Sequence, residues 1–266
     1  MKDKLIFTAL LCVTLYVPLS LFSQDFRMNG TTLVQYNGRA ANVTIPEGVV
    51  SIGREAFAEN SSLTSVTIPT SVISIGEGAF ANCSSLASIT IPSRVNSIGD
   101  WAFGGCENLT SITVDNQNRA YSSVDGVLFT KDRTVLIAYP AGKQGTYTIP
   151  AGVASIGEWA FHLCGRLTGI TIPSSVASIW EGAFSFCSSL TSVTIPAGVT
   201  YIGDEAFHGC DSLTSVTIPS SVTHIGEWAF YECSSLRTIT VSKMTTLTAF
   251  IGEAAFPSTA RIAYSD

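Results

Sequence analysis

Apolar residues recur along most of the chain in short runs that alternate with polar residues. In the stretch LTSVTIP, which ends at Pro219, Val216 and Ile218 alternate with serine and threonine. Alternation of this kind, with β-branched residues at most positions, is typical of a β-strand that has one buried face. The proline ends the strand, because it has no N–H to donate to a neighbouring strand.

The residues that follow predict a second short strand and then a helix. Val222 to Ile225 forms a short apolar stretch, which Gly226 interrupts. We expect the next residues, GEWAFYEC, to form about two helical turns. Glu227 stands at the start of this segment, where the dipole of a helix favours an acidic residue.

This order of elements repeats along the chain. An Ala-Phe pair marks each copy, and consecutive phenylalanines are mostly 23 residues apart. Between Phe103 and Phe161 the interval is 58 residues, so one repeat is 12 residues longer than the others. The marking phenylalanines are Phe57, Phe80, Phe103, Phe161, Phe184, Phe207, Phe230 and Phe256.

A single repeat cannot bury its own apolar residues, because they lie along one edge of a short segment. Copies above and below must cover them, which produces a stack of repeats with parallel strands about 4.8 Å apart. The sequence therefore predicts an α/β repeat solenoid. We expect a right-handed superhelix with a parallel β-ladder on one face and short helical turns on the other.

The repeat resembles the BspA-type leucine-rich repeats of bacterial surface proteins, also called Treponema-type repeats. The resemblance rests on LTSVTIPSSVTHIGEWAFYECSS, residues 213–235, and extends over residues 42–256. Commoner leucine-rich repeats have a buried asparagine or cysteine eight residues after the first leucine. This chain has serine or glycine at that position, at Ser71, Ser175, Gly198 and Ser221. The resemblance implies a secreted or cell-surface protein that acts in adhesion or protein binding, without enzymatic activity.

Segments that lack the repeat lie at both ends and in the middle. The first residues combine two lysines with an uncharged apolar run of 18 residues and a polar exit. This predicts a secretory signal peptide whose removal leaves no membrane span, and the alternative is a retained membrane anchor. The predicted segments are a signal peptide (1–23), an N-terminal β-cap (24–41), the leucine-rich repeats (42–256) with a hairpin insertion in the long repeat (115–145), and a C-terminal cap (257–266). The hairpin is either a tolerated insertion or a loop that confers binding specificity.

Composition and charge narrow the range of partners. Charged residues make up 13% of the chain and hydrophobic residues 46%, with a formal net charge of −6. No basic patch is present that would release counterions from a phosphate backbone, so we expect no nucleic acid partner.

Six cysteines follow the marking phenylalanines by three residues, at Cys83, Cys106, Cys164, Cys187, Cys210 and Cys233. The Cβ bonds of stacked cysteines point in the same direction, so we predict buried, reduced thiols that fill the core instead of disulfides. No C-x-x-C motif or neighbouring histidine indicates zinc. No G-x-S-x-G, H-E-x-x-H or phosphate-binding loop is present either, and we expect no enzyme, metal or cofactor.

Two further sets of equivalent positions carry polar residues. Acidic residues precede the phenylalanines by three positions, at Glu77, Asp100, Glu158, Glu181, Asp204, Glu227 and Glu253. These acidic residues reflect either the preference for acids at the start of a helix or a row of negative charges that binds cations or a basic partner. Serines and threonines point outward from the predicted strands, where they either bind a ligand or keep the sheet soluble.

Aromatic residues occur at positions where the copies of the repeat differ from one another. Tryptophan stands two residues before the phenylalanine in some copies, Trp180 replaces a glycine, and Tyr201 and His224 replace serines. Variation at a fixed position indicates exposure, and exposed aromatic residues commonly anchor protein or sugar contacts. The candidate ligand-binding residues are Trp101, Trp159, Trp180, Trp228, Tyr201, His224, Thr171, Thr194 and Thr217.

We therefore expect a secreted or cell-surface protein that binds a protein on a host or neighbouring cell. Two other functions remain open on the sequence. One is glycan binding, with Trp101, Trp159 and Trp228 as stacking platforms. The other is a purely structural surface element without a discrete ligand.

Overall fold

The structure of the protein, a computed structural model, describes residues 25–242 and 250–265. The predicted signal peptide, residues 1–23, lies outside the described residues. Within the described part, the chain winds into a β-solenoid in which each repeat forms one turn. Parallel pairing joins residues that are one repeat apart, such as Ile202 with Ile225 and Val216 with Ile239.

The strands are β1 (Phe26–Asn29), β2 (Thr32–Tyr36), β3 (Asn42–Thr44), β4 (Ser51–Ile52), β5 (Ser65–Thr67), β6 (Ser74–Ile75), β7 (Ser88–Ile91), β8 (Ser97–Ile98), β9 (Ser111–Val114), β10 (Tyr121–Val124), β11 (Val127–Thr130), β12 (Val135–Ala138), β13 (Gly145–Thr148), β14 (Ser155–Ile156), β15 (Leu167–Thr171), β16 (Ser178–Ile179), β17 (Ser192–Thr194), β18 (Tyr201–Ile202), β19 (Ser215–Ile218), β20 (His224–Ile225), β21 (Thr238–Ser242), β22 (Phe250–Ile251) and β23 (Arg261–Ser265).

Each turn has three sides. The first is a strand of three to five residues, and these strands form the long-strand ladder, for example in the order β13-β15-β17-β19-β21-β23. The second is a strand of two residues, and these form the short-strand ladder, for example β14-β16-β18-β20-β22. The third side is the segment from the glycine to the cysteine, and we call the pile of these segments the turn stack.

The predicted α/β fold class, with helical turns on one face, is wrong, because none of the described residues lies in a helix. The GEWAFYEC segment is a series of tight turns instead. Trp228 and Glu232 have left-handed φ angles of 54° and 56°, which a right-handed helix excludes. The prediction that Glu227 caps a helix is wrong for the same reason.

Hydrogen bonds between neighbouring turns explain why the turn stack replaces a helix. In a helix each N–H donates four residues back, but here the N–H of Phe207 donates to Ala229 in the next turn, at 2.7 Å. The N–H groups two residues before and after this position also donate forward, from Glu205 to Glu227 and from Gly209 to Tyr231, both at 2.9 Å. Stacking thus satisfies backbone groups that a helix would satisfy within itself.

The core is a column of phenylalanine rings. Phe184, Phe207 and Phe230 are fully buried, and each ring centroid lies 5.0 Å from the next, with the planes within 10° of parallel. The Sγ of Cys233 donates to the carbonyl of Phe207 in the preceding turn, at 3.1 Å. The prediction that the six cysteines are buried, unpaired thiols is confirmed.

Serine performs the role that asparagine has in commoner leucine-rich repeats. The Oγ atoms of Ser71, Ser175 and Ser221 each donate to a valine carbonyl of the preceding turn, at 2.7 Å. In the long repeat the buried Asn118 occupies the corresponding place and donates to the carbonyls of Pro92 and Val95. A short hydroxyl therefore satisfies this bend in regular turns, and a longer amide does so where the chain departs from the repeat.

The long repeat divides the solenoid into two hydrophobic cores. The N-terminal core includes Phe57, Phe80 and Phe103, and the C-terminal core includes Phe161 and the phenylalanines after it. Strand β8 ends the first short-strand sheet, and the antiparallel strands β10, β11 and β12 begin the second. The hydroxyl of Tyr121 accepts a hydrogen bond from the N–H of Ile98, at 3.0 Å, and so covers the free edge of β8.

The second core begins in the same way as the first. The N–H of Tyr36 donates to Ala56, at 2.7 Å, and its ring lies 5.2 Å from that of Phe57. The N–H of Tyr139 likewise donates to Ala160, at 2.7 Å, with its ring 4.9 Å from that of Phe161. In both places a tyrosine at the C-terminal end of a hairpin strand, Tyr36 in β2 and Tyr139 directly after β12, packs on the first ring of the phenylalanine column.

We expect the six thiols to be protected from alkylation in the folded protein. Burial raises the pKa of Cys83 and Cys106 to about 12, so that the reactive thiolate is scarce at mildly alkaline pH. Iodoacetamide labelling followed by mass spectrometry should show reaction at least about a hundredfold slower in the native than in the urea-unfolded protein. A native thiol that reacts at the unfolded rate, or a disulfide in the mass spectrum, would contradict this expectation.

Candidate binding site

A cleft of about 300 Å³ lies where the two cores meet, and we call it the inter-core cleft. Its floor is formed by residues at the ends of β8 and β12, including Ile98 and Tyr139. Its walls come from the turns on either side of the long repeat, which contribute Trp101 and Trp159. The cleft exists because the long repeat separates two turns that would otherwise stack directly.

The hydrogen-bond pattern of the turn stack is interrupted at the inter-core cleft. The N–H groups of Gly78 and Phe80 donate forward to Asp100 and Ala102. The equivalent N–H groups of Trp101 and Phe103 point toward the cleft, and within residues 25–242 and 250–265 they have no hydrogen-bond acceptor. Backbone donors without a protein partner at a concave surface are ready to bind a ligand or water.

Aromatic rings line the cleft on both sides of the gap. The imidazole of His162 contacts the indole of Trp101, with centroids 5.7 Å apart, and that of Trp159, at 5.1 Å, both nearly perpendicular. The indole of Trp159 also lies over Gly182, where any Cβ would overlap the ring. Trp180 completes the lining and is 40% exposed.

Two polar ring atoms in the cleft are buried without a partner. These are Nε1 of Trp101 and Nδ1 of His162, neither of which has a hydrogen bond within the described part of the chain. Burial lowers the pKa of His162 to about 4, so its imidazole is neutral near neutral pH. A neutral imidazole nitrogen and an indole N–H can therefore accept and donate hydrogen bonds, respectively.

Two carboxyl groups stand at the rim of the cleft. Asp100 and Glu158 lie on the two sides of the cleft, close enough for the charge of Asp100 to act on Glu158. Burial raises the pKa of Glu158, and the nearby charge of Asp100 raises it further. In the next turn the pKa of Glu181 is also raised, by burial and by the charge of Glu158.

A second aromatic surface lies on the turn stack of the C-terminal core, and we call it the turn face. It comprises Phe186, His208, Trp228 and Tyr231. Phe186, Trp228 and Tyr231 are 38%, 43% and 42% exposed. The ring of His208 lies 4.9 Å from Phe186 and 5.6 Å from Tyr231, and so joins their rings.

Carboxylates surround the turn face. Nδ1 of His208 lies 3.4 Å from Glu205, and its Nε2 lies 3.3 Å from Glu232. The partners on both ring nitrogens hold the imidazole in place between the two exposed rings.

The nine residues predicted to bind a ligand lie on three surfaces. Trp101, Trp159 and Trp180 line the inter-core cleft, and Trp228 belongs to the turn face. Tyr201 and His224 stack on the short-strand ladder beside Trp180, with centroid distances of 5.1 Å and 4.5 Å along the series. The threonines are exposed on the long-strand ladder, at Thr171, Thr194 and Thr217.

Sequence reasoning missed four aromatic residues of these surfaces: His162, Phe186, His208 and Tyr231. They stand one or two positions after the marking phenylalanine, where most other copies have a small or polar residue. The same irregularity that pointed to the tryptophans was therefore present at these positions too.

Within residues 25–242 and 250–265, no three His, Cys, Asp or Glu side chains are placed so that they could hold a metal ion. The same residues contain no helix with the length and apolar character needed to cross a membrane.

The stacked 23-residue turns, with their leucine and phenylalanine columns, define a leucine-rich repeat protein. A family model described as the BspA-type leucine-rich repeat region matches six copies, over residues 34–128 and 141–263. The chain therefore belongs to the BspA-type leucine-rich repeat family, and the resemblance identified in the sequence is confirmed. No curated protein matches the chain.

Solved structures of bacterial proteins are similar to the chain. A leucine-rich cell surface protein of Faecalibacterium prausnitzii is 36% identical, with a TM-score of 0.62, over 77% of this chain and 60% of its own. The pneumococcal vaccine antigen PcpA is 25% identical, with a TM-score of 0.67, over 85% of this chain and 62% of its own. The chain thus spans less than two thirds of either protein. A leucine-rich repeat protein of Eubacterium ventriosum, 23% identical with a TM-score of 0.61, covers 86% of this chain and 79% of its own, and shares the fold.

Proposed function

We propose that the protein is exported, acts at the cell surface and binds another protein without catalysing a reaction. Its family and the cell-surface relative from Faecalibacterium prausnitzii support this proposal. The lysines and apolar run of residues 1–23 support export through a signal peptide that is then removed. We extend the proposal to the segment boundaries, with repeats over residues 42–256 between two caps.

The observation that carries the proposal is the turn face. Three large aromatic side chains, Phe186, Trp228 and Tyr231, remain between 38% and 43% exposed beside a core in which most aromatic rings are buried. Exposed Trp, Tyr and Phe are enriched at protein interfaces, because they contribute a large apolar area at a low entropic cost. The surrounding carboxylates of Glu205 and Glu232 favour a partner with basic residues at the edge of its binding surface.

The long-strand ladder is the alternative surface for a protein partner, and its exposed residues differ from those of the turn face. Its exposed residues are small hydroxyl side chains, such as Thr171 and Thr217, which offer little apolar area. In the N-terminal part of the ladder, such hydroxyls hydrogen-bond to one another, as those of Thr90 and Thr113 do at 2.8 Å. This surface therefore has fewer features of an anchor site than the turn face.

We expect the double substitution Phe186→Ala and Tyr231→Ala to weaken binding to a protein partner by at least about thirtyfold, which corresponds to the loss of a hot spot of about 2 kcal/mol. The partner would be selected from a panel of purified host surface and matrix proteins, and the affinity measured by surface plasmon resonance. Tyr264→Ala is the control, since this tyrosine is 66% exposed at the far end of the long-strand ladder.

One result would instead assign the binding site to the long-strand ladder. If the double variant binds as the unmodified protein does, while Thr171→Lys with Thr217→Lys abolishes binding, the partner occupies the long-strand ladder and the turn face is not the site.

A further inference from the structure

We infer that the inter-core cleft is a saccharide-binding site, separate from the protein-binding turn face. Three kinds of group come together in this one concave place. Indole rings offer flat apolar surfaces, unpaired N–H groups offer donors, and carboxyl and carbonyl groups offer acceptors.

The donors and acceptors lie on opposite walls of the cleft. On one wall, the backbone N–H groups of Trp101 and Phe103 have no partner among the described residues. On the other wall, the carbonyl of Glu158 receives no backbone N–H, although the equivalent carbonyls of Asp100 and Glu181 each receive one. A ligand between the walls would meet donors from one side and acceptors from the other.

Trp180 provides an independent indication of function. Its position is glycine in the neighbouring turns, at Gly157, Gly203 and Gly226. At Gly203 a Cβ would lie 2.6 Å from the backbone nitrogen of Glu181, so the stack favours glycine there. The N–H of Trp180 donates at 3.1 Å, compared with 2.8 Å for Gly203 and Gly226, so the tryptophan stretches the ladder. A residue that breaks the local rule at the edge of a cleft is typical of a functional site.

These groups fit a sugar better than an ammonium ion. A sugar ring has an apolar C–H face that packs on indole, hydroxyl hydrogens for carboxylates and hydroxyl oxygens for N–H donors. An organic cation would use the indoles and the carboxylates of Asp100 and Glu158, but it would leave the N–H groups of Trp101 and Phe103 unpaired. Only a ligand that both donates and accepts hydrogen bonds satisfies all of them.

The size and surroundings of the cleft indicate how a saccharide would lie. A volume of about 300 Å³ is at the small end of the range for ligand pockets, and suits one terminal sugar residue. From Trp180 the rings of Tyr201 and His224 continue along the short-strand ladder, with Tyr201 and His224 parallel within 8°. Further sugar residues of a chain would contact the edges of these rings, because the faces of Tyr201 and His224 are stacked on each other.

The experiment uses the full chain on an array of mono- and oligosaccharides, followed by isothermal titration with the saccharide that binds best. We expect Trp180→Gly to weaken that binding by at least about tenfold, because the substitution removes the indole surface on which the sugar ring packs. The variant restores the glycine of the neighbouring turns and should fold at least as well. Glu158→Gln should also weaken binding, whereas Tyr264→Ala and Glu107→Gln, which change exposed residues outside the cleft, should not.

Three outcomes would overturn the inference. The first is an array on which no saccharide binds above background. The second is a bound saccharide whose affinity is the same for Trp180→Gly and Glu158→Gln as for the unmodified protein. The third is Trp180-dependent binding of tetramethylammonium or a lysine ester without saccharide binding, which would make the cleft a cation site. None of these outcomes depends on Phe186 or Tyr231, so this experiment tests the saccharide site separately from the protein-binding turn face.

Discussion

Replacing Phe207 with alanine is expected to lower the free energy of unfolding by about 3–5 kcal/mol, the usual cost of removing a fully buried aromatic ring. The ring is inaccessible to solvent and lies between those of Phe184 and Phe230, each with its centroid 5.0 Å away. Its removal leaves a cavity and breaks two stacked aromatic contacts. Because the turns above and below are held by ladders on both sides, they cannot collapse into the space.

Urea unfolding followed by circular dichroism measures this loss. Phe186→Ala is the matched control, since it removes the same side chain two residues beyond Phe184 but from a position that is 38% exposed. We expect the control to cost less, about 1–2 kcal/mol, because only part of its ring is removed from water. A loss below about 1 kcal/mol for Phe207→Ala would mean that the phenylalanine column is not the main support of the C-terminal core.

The second large effect is expected from Asn118→Ala, which should lower the free energy of unfolding by about 3–5 kcal/mol through lost hydrogen bonds and a cavity. The side chain of Asn118 is 1% exposed, and its amide donor and acceptor atoms are both fully hydrogen-bonded. Nδ2 donates to the carbonyls of Pro92 and Val95, at 2.8 Å and 2.9 Å. Oδ1 accepts from the N–H groups of Ala120 and Tyr121, at 2.9 Å and 2.8 Å.

Thermal unfolding by differential scanning calorimetry provides the measurement. Removal of the amide leaves buried backbone groups without partners at the point where the long repeat joins the N-terminal core. Asn108→Ala is the control, because this asparagine is exposed and makes one hydrogen bond, to the carbonyl of Ser84 at 2.8 Å. Equal melting temperatures for the two variants would show that Asn118 is not needed to hold the long repeat.

The repeat spacing allowed much of the architecture to be predicted. Val216, Ile218 and Phe230 have equivalents in most copies, so their burial follows once copies are stacked. The parallel pairing of equivalent strands and the buried, unpaired cysteines follow for the same reason. One copy of the sequence would not have been sufficient, because its apolar residues are also compatible with a small globular domain.

The predicted helix was wrong because two structures share the same apolar spacing. Ala229, Phe230 and Cys233 fit one side of a helix, but they also fit the inner side of a series of tight turns. The decisive signal lies in the neighbouring copies. The positions of Trp228 and Glu232 are glycine elsewhere, at Gly78, Gly182, Gly105 and Gly209, and all of these have positive φ angles. Recurrent glycine at two positions of a short segment indicates left-handed turns.

The inter-core cleft could not be predicted, because it depends on how the additional residues of the long repeat fold. Trp101 and Trp159 are neighbours only because the long repeat places its strands beside them and leaves the turn stack open. The sequence identified both tryptophans as irregular but gave no reason to place His162 between them. The position of a cleft that arises from interrupted stacking requires the three-dimensional arrangement.

The short reach of the hydrogen bonds has a consequence for how the chain acquires its fold. Ser221 bonds a residue 22 positions earlier, Cys233 one 26 positions earlier, and Thr223 one 23 positions earlier. Each turn therefore needs only the adjacent turns, and sequence-local contacts of this kind favour rapid folding. As the polypeptide is synthesised from its N-terminus, a turn can take its final form once the following repeat has emerged, while the C-terminal residues are still to be made.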